Sequence, residues 1–157
     1  MVGRLDSKDV EVLRIIQENC RLTAREISAR TDLAVTTVFA KIKRLEKMGF
    51  IRGYHAVLES TKLDAGTTAF VLISFDYKGE EKALSQRKVA KRIAELEDVQ
   101  EVHIISGAWD ILTKIKAKDV NAVGKFVVDK LRIIKGIEKT LTCLVFESEK
   151  ESTAIAL

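Results

Sequence analysis

Apolar positions fall at helical spacing up to Gly49 and alternate at strand spacing through much of the remaining chain. Asp6 precedes Val10, Val12, Leu13, Ile15 and Ile16, with Asp9 at the third helical position and Leu5 placed to pack back on Val10. A carboxylate able to accept backbone N–H bonds, followed by such a run, predicts a helix from about Ser7 to Asn19. Thr23 with Glu26 three residues on is a capping box, and it opens a short second helix with Ala24, Ile27 and Ala29 turned inward. A third helix is predicted from Val35 to Met48, with Val38, Ile42 and Leu45 on its buried side and Gly49 ending it. Phe50 to Leu58 then alternates and predicts a short strand.

Beyond a polar connector at 59–66, Thr68 to Tyr77 predicts a strand that is apolar on both faces, broken by Gly79. A helix from about Ser85 to Leu96, strands at Val99–Ser106 and Asp110–Ala117, and a helix capped by Asp119 and closed by Gly136 follow. Ile137 to Glu147 is a final strand. The predicted fold is α+β: a three-helix, winged helix-turn-helix domain over 1–58, a linker over 59–66, and a βαββαβ ferredoxin-like domain over 67–157. Two helices cover only one face of a four-stranded sheet. Phe70 and Leu72 on the first strand, with an equally two-sided last strand, require a second cover. An identical sheet is the simplest one, so a homodimer is expected, with higher even-numbered assembly.

A composition of 46% hydrophobic and 32% charged residues is that of a globular chain, not a disordered one. The longest apolar runs, such as Phe70 to Ile73, fall far short of the roughly 20 residues of a membrane helix. With no apolar leader at the N-terminus, a cytoplasmic protein is expected, with Cys20 and Cys143 as reduced thiols. Charge is unevenly placed. Residues 1–62 hold 12 Lys and Arg against 8 Asp and Glu, whereas the rest hold 15 of each. On the third helix, with Val38, Ile42 and Leu45 buried, the outward side carries Thr36, Thr37, Ala40, Lys41, Lys43, Arg44 and Lys47. In a helix-turn-helix this helix enters the major groove of double-stranded DNA. Hydroxyls at its start suit bases or phosphates, and the cations suit phosphates. Phe39 lies near the exposed side and is expected to pack on the first helix rather than meet a thymine methyl. On pattern alone, a helical bundle for protein contacts remains open.

The stretches Leu5-Asp6, Ala24-Arg25-Glu26-Ile27-Ser28-Ala29-Arg30, Lys41-Ile42-Lys43-Arg44-Leu45-Glu46 and Gly49-Phe50-Ile51 with Gly53-Tyr54-His55-Ala56 closely resemble the DNA-binding domain of the Lrp/AsnC, or feast/famine, regulators. Ala34, at the start of the third helix, and Ala40 depart from that family's usual residues. The second half resembles the family's effector-binding domain, its hallmark being the turn Ser106-Gly107-Ala108-Trp109-Asp110. The resemblance implies transcription regulation and a free amino acid bound between dimers at this turn, aided by the last strand. Gly107 would let a carboxylate approach backbone N–H groups, Asp110 would accept an ammonium, and Thr140 and Thr142 share a strand face for polar contacts. The alternative is that Gly107 and Asp110 only shape a hairpin.

His55 and His103 stand apart from any cluster at metal spacing, and no nucleophile elbow, Walker loop or GxGxxG occurs. Lys78-Gly79-Glu80 reads as a turn, not a phosphate cradle. No cofactor, metal or catalytic residue is expected. Two other classes stay in view: an architectural DNA-wrapping protein without effector, and an enzyme, since a few proteins resembling this family are tetrapyrrole decarboxylases.

Overall fold

The computed structural model describes residues 5–77 and 84–157, so the turn predicted at Lys78–Glu80 lies outside the described residues. Two compact units result. One runs to Val57 and takes in Lys150–Leu157; the other spans Leu58–Glu149.

In the first unit, α1 (Ser7–Glu18) starts with a reciprocal box: Asp9 N donates to Asp6 Oδ1 at 2.7 Å, and Asp6 N donates to Asp9 Oδ2 at 2.9 Å. Helix α2 (Ala24–Ser28) starts on the Thr23–Glu26 box. Helix α3 (Val35–Lys47) starts at Ala34, which supplies no side-chain acceptor. Val12, Ile27, Val38 and Leu45 close the core, with Leu13, Ile16, Ile42 and Ile51 packed around them. Ala29, predicted to face inward, is exposed beyond the last turn of α2. The strand predicted at Phe50–Leu58 does not form. A strand needs a neighbour for its backbone groups, and among the described residues nothing pairs with this stretch. Tyr54 ties it back to α3 by donating to Glu46 at 3.0 Å. The tail 150–157, predicted as part of the second domain, groups with the first unit. There Gln17 acts like a strand neighbour: its Nε2 donates to Ile155 O and its Oε1 accepts from Ile155 N, each at 2.8 Å.

The second unit contains β1 (Thr67–Phe75), α4 (Gln86–Ala94), β2 (Val99–Ile104), β3 (Ile111–Ala117), α5 (Val120–Lys125) and β4 (Ile137–Leu144). The strands form one antiparallel sheet in the order β2-β3-β1-β4. Ala69, Val71, Ile73 and Phe75 of β1 are buried with Val89 and Ile93 of α4 and Val123 of α5. The single last helix predicted after Asp119 is divided: α5 gives way to a π-helical turn over Phe126–Leu131, which still buries Phe126, Val127 and Leu131. Gly136 has φ of +92°, and a Cβ there would stand 2.6 Å from Leu84 Cδ2 and 3.0 Å from Val89 Cγ2. Only glycine fits both the backbone and the space.

The register defines the other face of the sheet. Phe70 lies between Lys114 and Cys143, and Leu72 between Leu112 and Leu141. Leu141 and Cys143 are exposed, and Phe70, Leu72 and Leu112 are half-buried. No helix of the described residues is long and apolar enough to cross a membrane.

Candidate DNA interface and effector turn

On α3, burial of Val38 and Leu45 turns Thr36, Ala40, Lys43 and Lys47 to the opposite side, one turn after another. All four are exposed, as are Thr37 and Arg44 on one flank. Lys47 has no ion-pair partner among the described residues. Lys43 lies 3.4 Å from Glu46 and stands 5.8 Å above the ring of Phe39. Phe39 is 58% exposed, so it does not pack away on α1 as predicted. It joins the outward face, held there by a cation–π contact within its own helix.

Lys41 departs from the outward set. Its side chain is only 15% exposed. Its Nζ donates to Asp6 Oδ2 at 2.8 Å, Asp6 Oδ1 at 3.1 Å and Asp9 Oδ1 at 2.9 Å. Arg44 Nη2 donates to Asp9 Oδ2. Helical spacing places Lys41 on the flank toward α1, where two carboxylates are waiting. Asp9 is fully buried. Burial alone would push its carboxyl up, but the bonds from Asp6 N, Arg44 and Lys41 outweigh it and hold the group down at about 2. For Lys41, burial likewise works against the charge, and the bonds to Asp6 and Asp9 raise it above the ordinary lysine value. Asp9 reads from sequence as a cap alone, since its second role depends on residues more than thirty positions away.

The turn between β2 and β3 closes with Ile105 N donating to Asp110 O at 2.9 Å and Asp110 N to Ile73 O at 3.0 Å. Ser106, Gly107 and Ala108 are exposed, and Trp109 and Asp110 are half-buried. Gly107 has φ of +126° with open space where a Cβ would point, so its requirement is conformational. Both carboxylate oxygens of Asp110 are bonded within the chain. Its Oδ2 accepts from Phe75 N at 2.8 Å; its Oδ1 accepts from the Tyr77 hydroxyl at 2.6 Å and from Gln86 Nε2 at 3.1 Å. The bond to Asp110 raises the Tyr77 phenol above its ordinary value. The carboxylate predicted to take an ammonium also joins the turn to β1 and α4 through these bonds. Tyr77 and Gln86 carry no local sequence signal for this role, being 33 and 24 positions from Asp110.

Thr140 pairs with Ile73 and Thr142 with Val71 across the β1–β4 ladder. Ile111 meets Ile73 from the other side. Two strand spacings, about 10 Å, therefore separate Thr140 from the end of the turn. Within one chain the two halves of the predicted effector site do not meet at a point. Thr142 instead lines a shallow, open apolar groove with Val123, Gly124, Val127 and Leu144. Among the described residues, no group of three His, Cys, Asp or Glu is arranged to hold a metal.

Residues 68–155 match the Lrp/AsnC ligand binding domain, and residues 5–52 match a winged helix-turn-helix DNA-binding family. The chain is 40% identical over 151 residues to an HTH-type transcriptional regulator of Pyrococcus abyssi, covering 96% of this chain and 99% of that protein. It is 33% identical over 153 residues to the leucine-responsive regulatory protein of Escherichia coli, covering 98% of this chain and 92% of that one. Among solved structures, a transcriptional regulator of Neisseria meningitidis in complex with L-Met superposes with a TM-score of 0.89 at 29% identity, covering 98% of this chain and 97% of that chain.

Proposed function

The chain belongs to the Lrp/AsnC family of DNA-binding transcription regulators, and from that premise we propose that a cytoplasmic homodimer reads specific duplex sequences with α3 and is modulated by a free amino acid. The observation that carries the DNA reading is the exposed stripe Thr36, Ala40, Lys43 and Lys47 opposite the buried Val38 and Leu45. Thr36, Thr37 and Ala40, at the entering end, face base edges, and Phe39 can meet a thymine methyl. Lys43 and Lys47 contact phosphates, with Arg44 at the rim and Lys41 turned back to α1.

The second copy covers the open sheet face around Phe70, Leu72 and Leu141. The effector sits at Ser106-Gly107-Ala108-Trp109, where backbone N–H groups receive its carboxylate. Asp110 holds that turn in shape, and Thr140 and Thr142 reach a ligand only where another subunit closes the distance. The L-Met complex of the Neisseria regulator supports an amino acid as the ligand class.

Footprinting on a duplex enriched from a randomised pool tests the DNA reading. Discrete protected sites are expected, and uniform coating would favour an architectural protein. A thermal-shift screen over the common amino acids tests the effector, since a ligand held only by the native state raises the melting midpoint.

A further inference from the structure

Val38 and Leu45 hold α3 down on the core of its unit, but apolar contact has no direction and does not by itself fix how far the helix is rolled about its axis. Asp9 supplies the direction. Its Oδ1 takes Lys41 at 2.9 Å and its Oδ2 takes Arg44. Those two cations stand about one turn apart on α3, so one buried carboxylate grips the helix at two points. Asp6 adds a second grip on Lys41 at 2.8 and 3.1 Å. The acceptor itself is fixed, because Asp9 Oδ2 also receives Asp6 N within the α1 capping box. Rolling α3 breaks at least one charge-assisted bond whichever way it turns.

A buried ion group of this kind gives little net stability over apolar residues of the same shape. What it does supply is orientation. We propose that Asp9 is a positioning residue for DNA recognition: by clamping Lys41 and Arg44 it sets the roll of α3 that presents Thr36, Ala40, Lys43 and Lys47, and it withholds Lys41 from phosphate. This rests on the reading of α3 as the DNA-facing helix. Lys41 is thereby distinguished from Lys43 and Lys47, which an inspection of charge alone treats as equivalent.

The test uses the full-length protein, a duplex enriched by the wild type from a randomised pool, and an unselected duplex of equal length. Affinity for both is measured across a salt series for Asp9→Asn, Asp9→Glu, Lys41→Met, Lys43→Met and Lys47→Met, with a melting curve for each. For Lys43→Met and Lys47→Met the log–log salt slope falls by about 1 per subunit. For Lys41→Met the slope stays at the wild-type value while preference for the selected duplex falls about tenfold. For Asp9→Asn, Arg44 loses its carboxylate and Lys41 keeps only Asp6, so the slope on the unselected duplex steepens by about 1 per subunit and the preference falls as for Lys41→Met. Asp9→Glu, which keeps the charge, regains part of the preference. A purely structural role would lower the melting midpoint and leave slope and preference alone.

A slope lowered by about 1 in Lys41→Met overturns the proposal, because Lys41 then contacts phosphate. Unchanged preference in a folded Asp9→Asn overturns it as well. If Asp9→Asn does not fold, Lys41→Met decides the matter unaided. If Lys43→Met and Lys47→Met bind as the wild type does, the assignment of α3 to the DNA fails, an outcome separate from failure of the clamp.

Discussion

Lys41 and Arg44 sit on one helix at successive turns, yet Lys41 is largely covered and Arg44 is half open. Both bond to Asp9, with Asp6 sharing Lys41, and the depressed carboxyl of Asp9 has a consequence in acid. The contribution of Asp9 to stability is complete above its ordinary value near 3.8 and is lost as pH falls through about 2. Holding the carboxyl down from its ordinary value to about 2 corresponds to about 2 kcal/mol. Acid titration followed by circular dichroism should show that Asp9→Asn lowers stability at neutral pH by at least this amount and flattens the loss between about pH 4 and 2. Asp110→Ala leaves the buried Phe75 N–H without its partner and should cost about 1–3 kcal/mol, seen as a lower melting midpoint together with a lost amino-acid response. If the response vanishes with no change in melting, the joining role is wrong and a direct ligand contact is right. Helical periodicity correctly turned Thr36, Ala40, Lys43 and Lys47 outward because it depends only on α3 itself. It did not show that Lys41 is drawn back to Asp6 and Asp9, or that Asp110 is bonded to Phe75, Tyr77 and Gln86, because those partners lie on other elements.

Elements were most legible where their signals are local. The boxes at Asp6–Asp9 and Thr23–Glu26, and the cap at Asp119, are complete within four residues, so the starts of α1, α2 and α5 could be read directly. The strand predicted at Phe50–Leu58 failed for the complementary reason: alternation marks a chain suited to pairing, and pairing requires a neighbour that no local pattern supplies. The π-helical turn after Lys125 follows apolar spacing closely enough that a single helix was the natural reading. Gly136 offers a sharp test of element packing. Gly136→Ala places a methyl against Leu84 and Val89 and forces a positive φ on an L residue. We expect a loss of about 2–4 kcal/mol in a urea titration, with the slope of the transition unchanged. A loss below about 1 kcal/mol would mean that the loop before β4 relaxes freely.

In the second unit, Phe70, Leu72, Leu112 and Leu141 lie on the sheet face opposite the one that α4 and α5 cover among the described residues. Charge sits beside this face, with Lys114 within 3.4 Å of Glu101 and Glu101 within 3.2 Å of His103. Leu141→Lys, which charges the face without touching the helix-covered core, should yield a monomer by light scattering and weaken binding to a two-half-site duplex. A dimer of undiminished mass would mean that a different surface joins the copies. On the proposed reading, an amino acid would alter DNA binding through its different affinity for two assembled states, so the melting shift it produces should come with a change in mass distribution. The uncovered face also bears on inheritance. If the proposed homodimer joins through this face, copies that exchange there will mix whatever alleles a cell expresses. A chain that carries Lys43→Met and Lys47→Met but keeps this face intact would enter dimers with normal subunits and leave each with a single reading helix. Such an allele should act as a dominant negative, silencing more regulator than its own share of the pool.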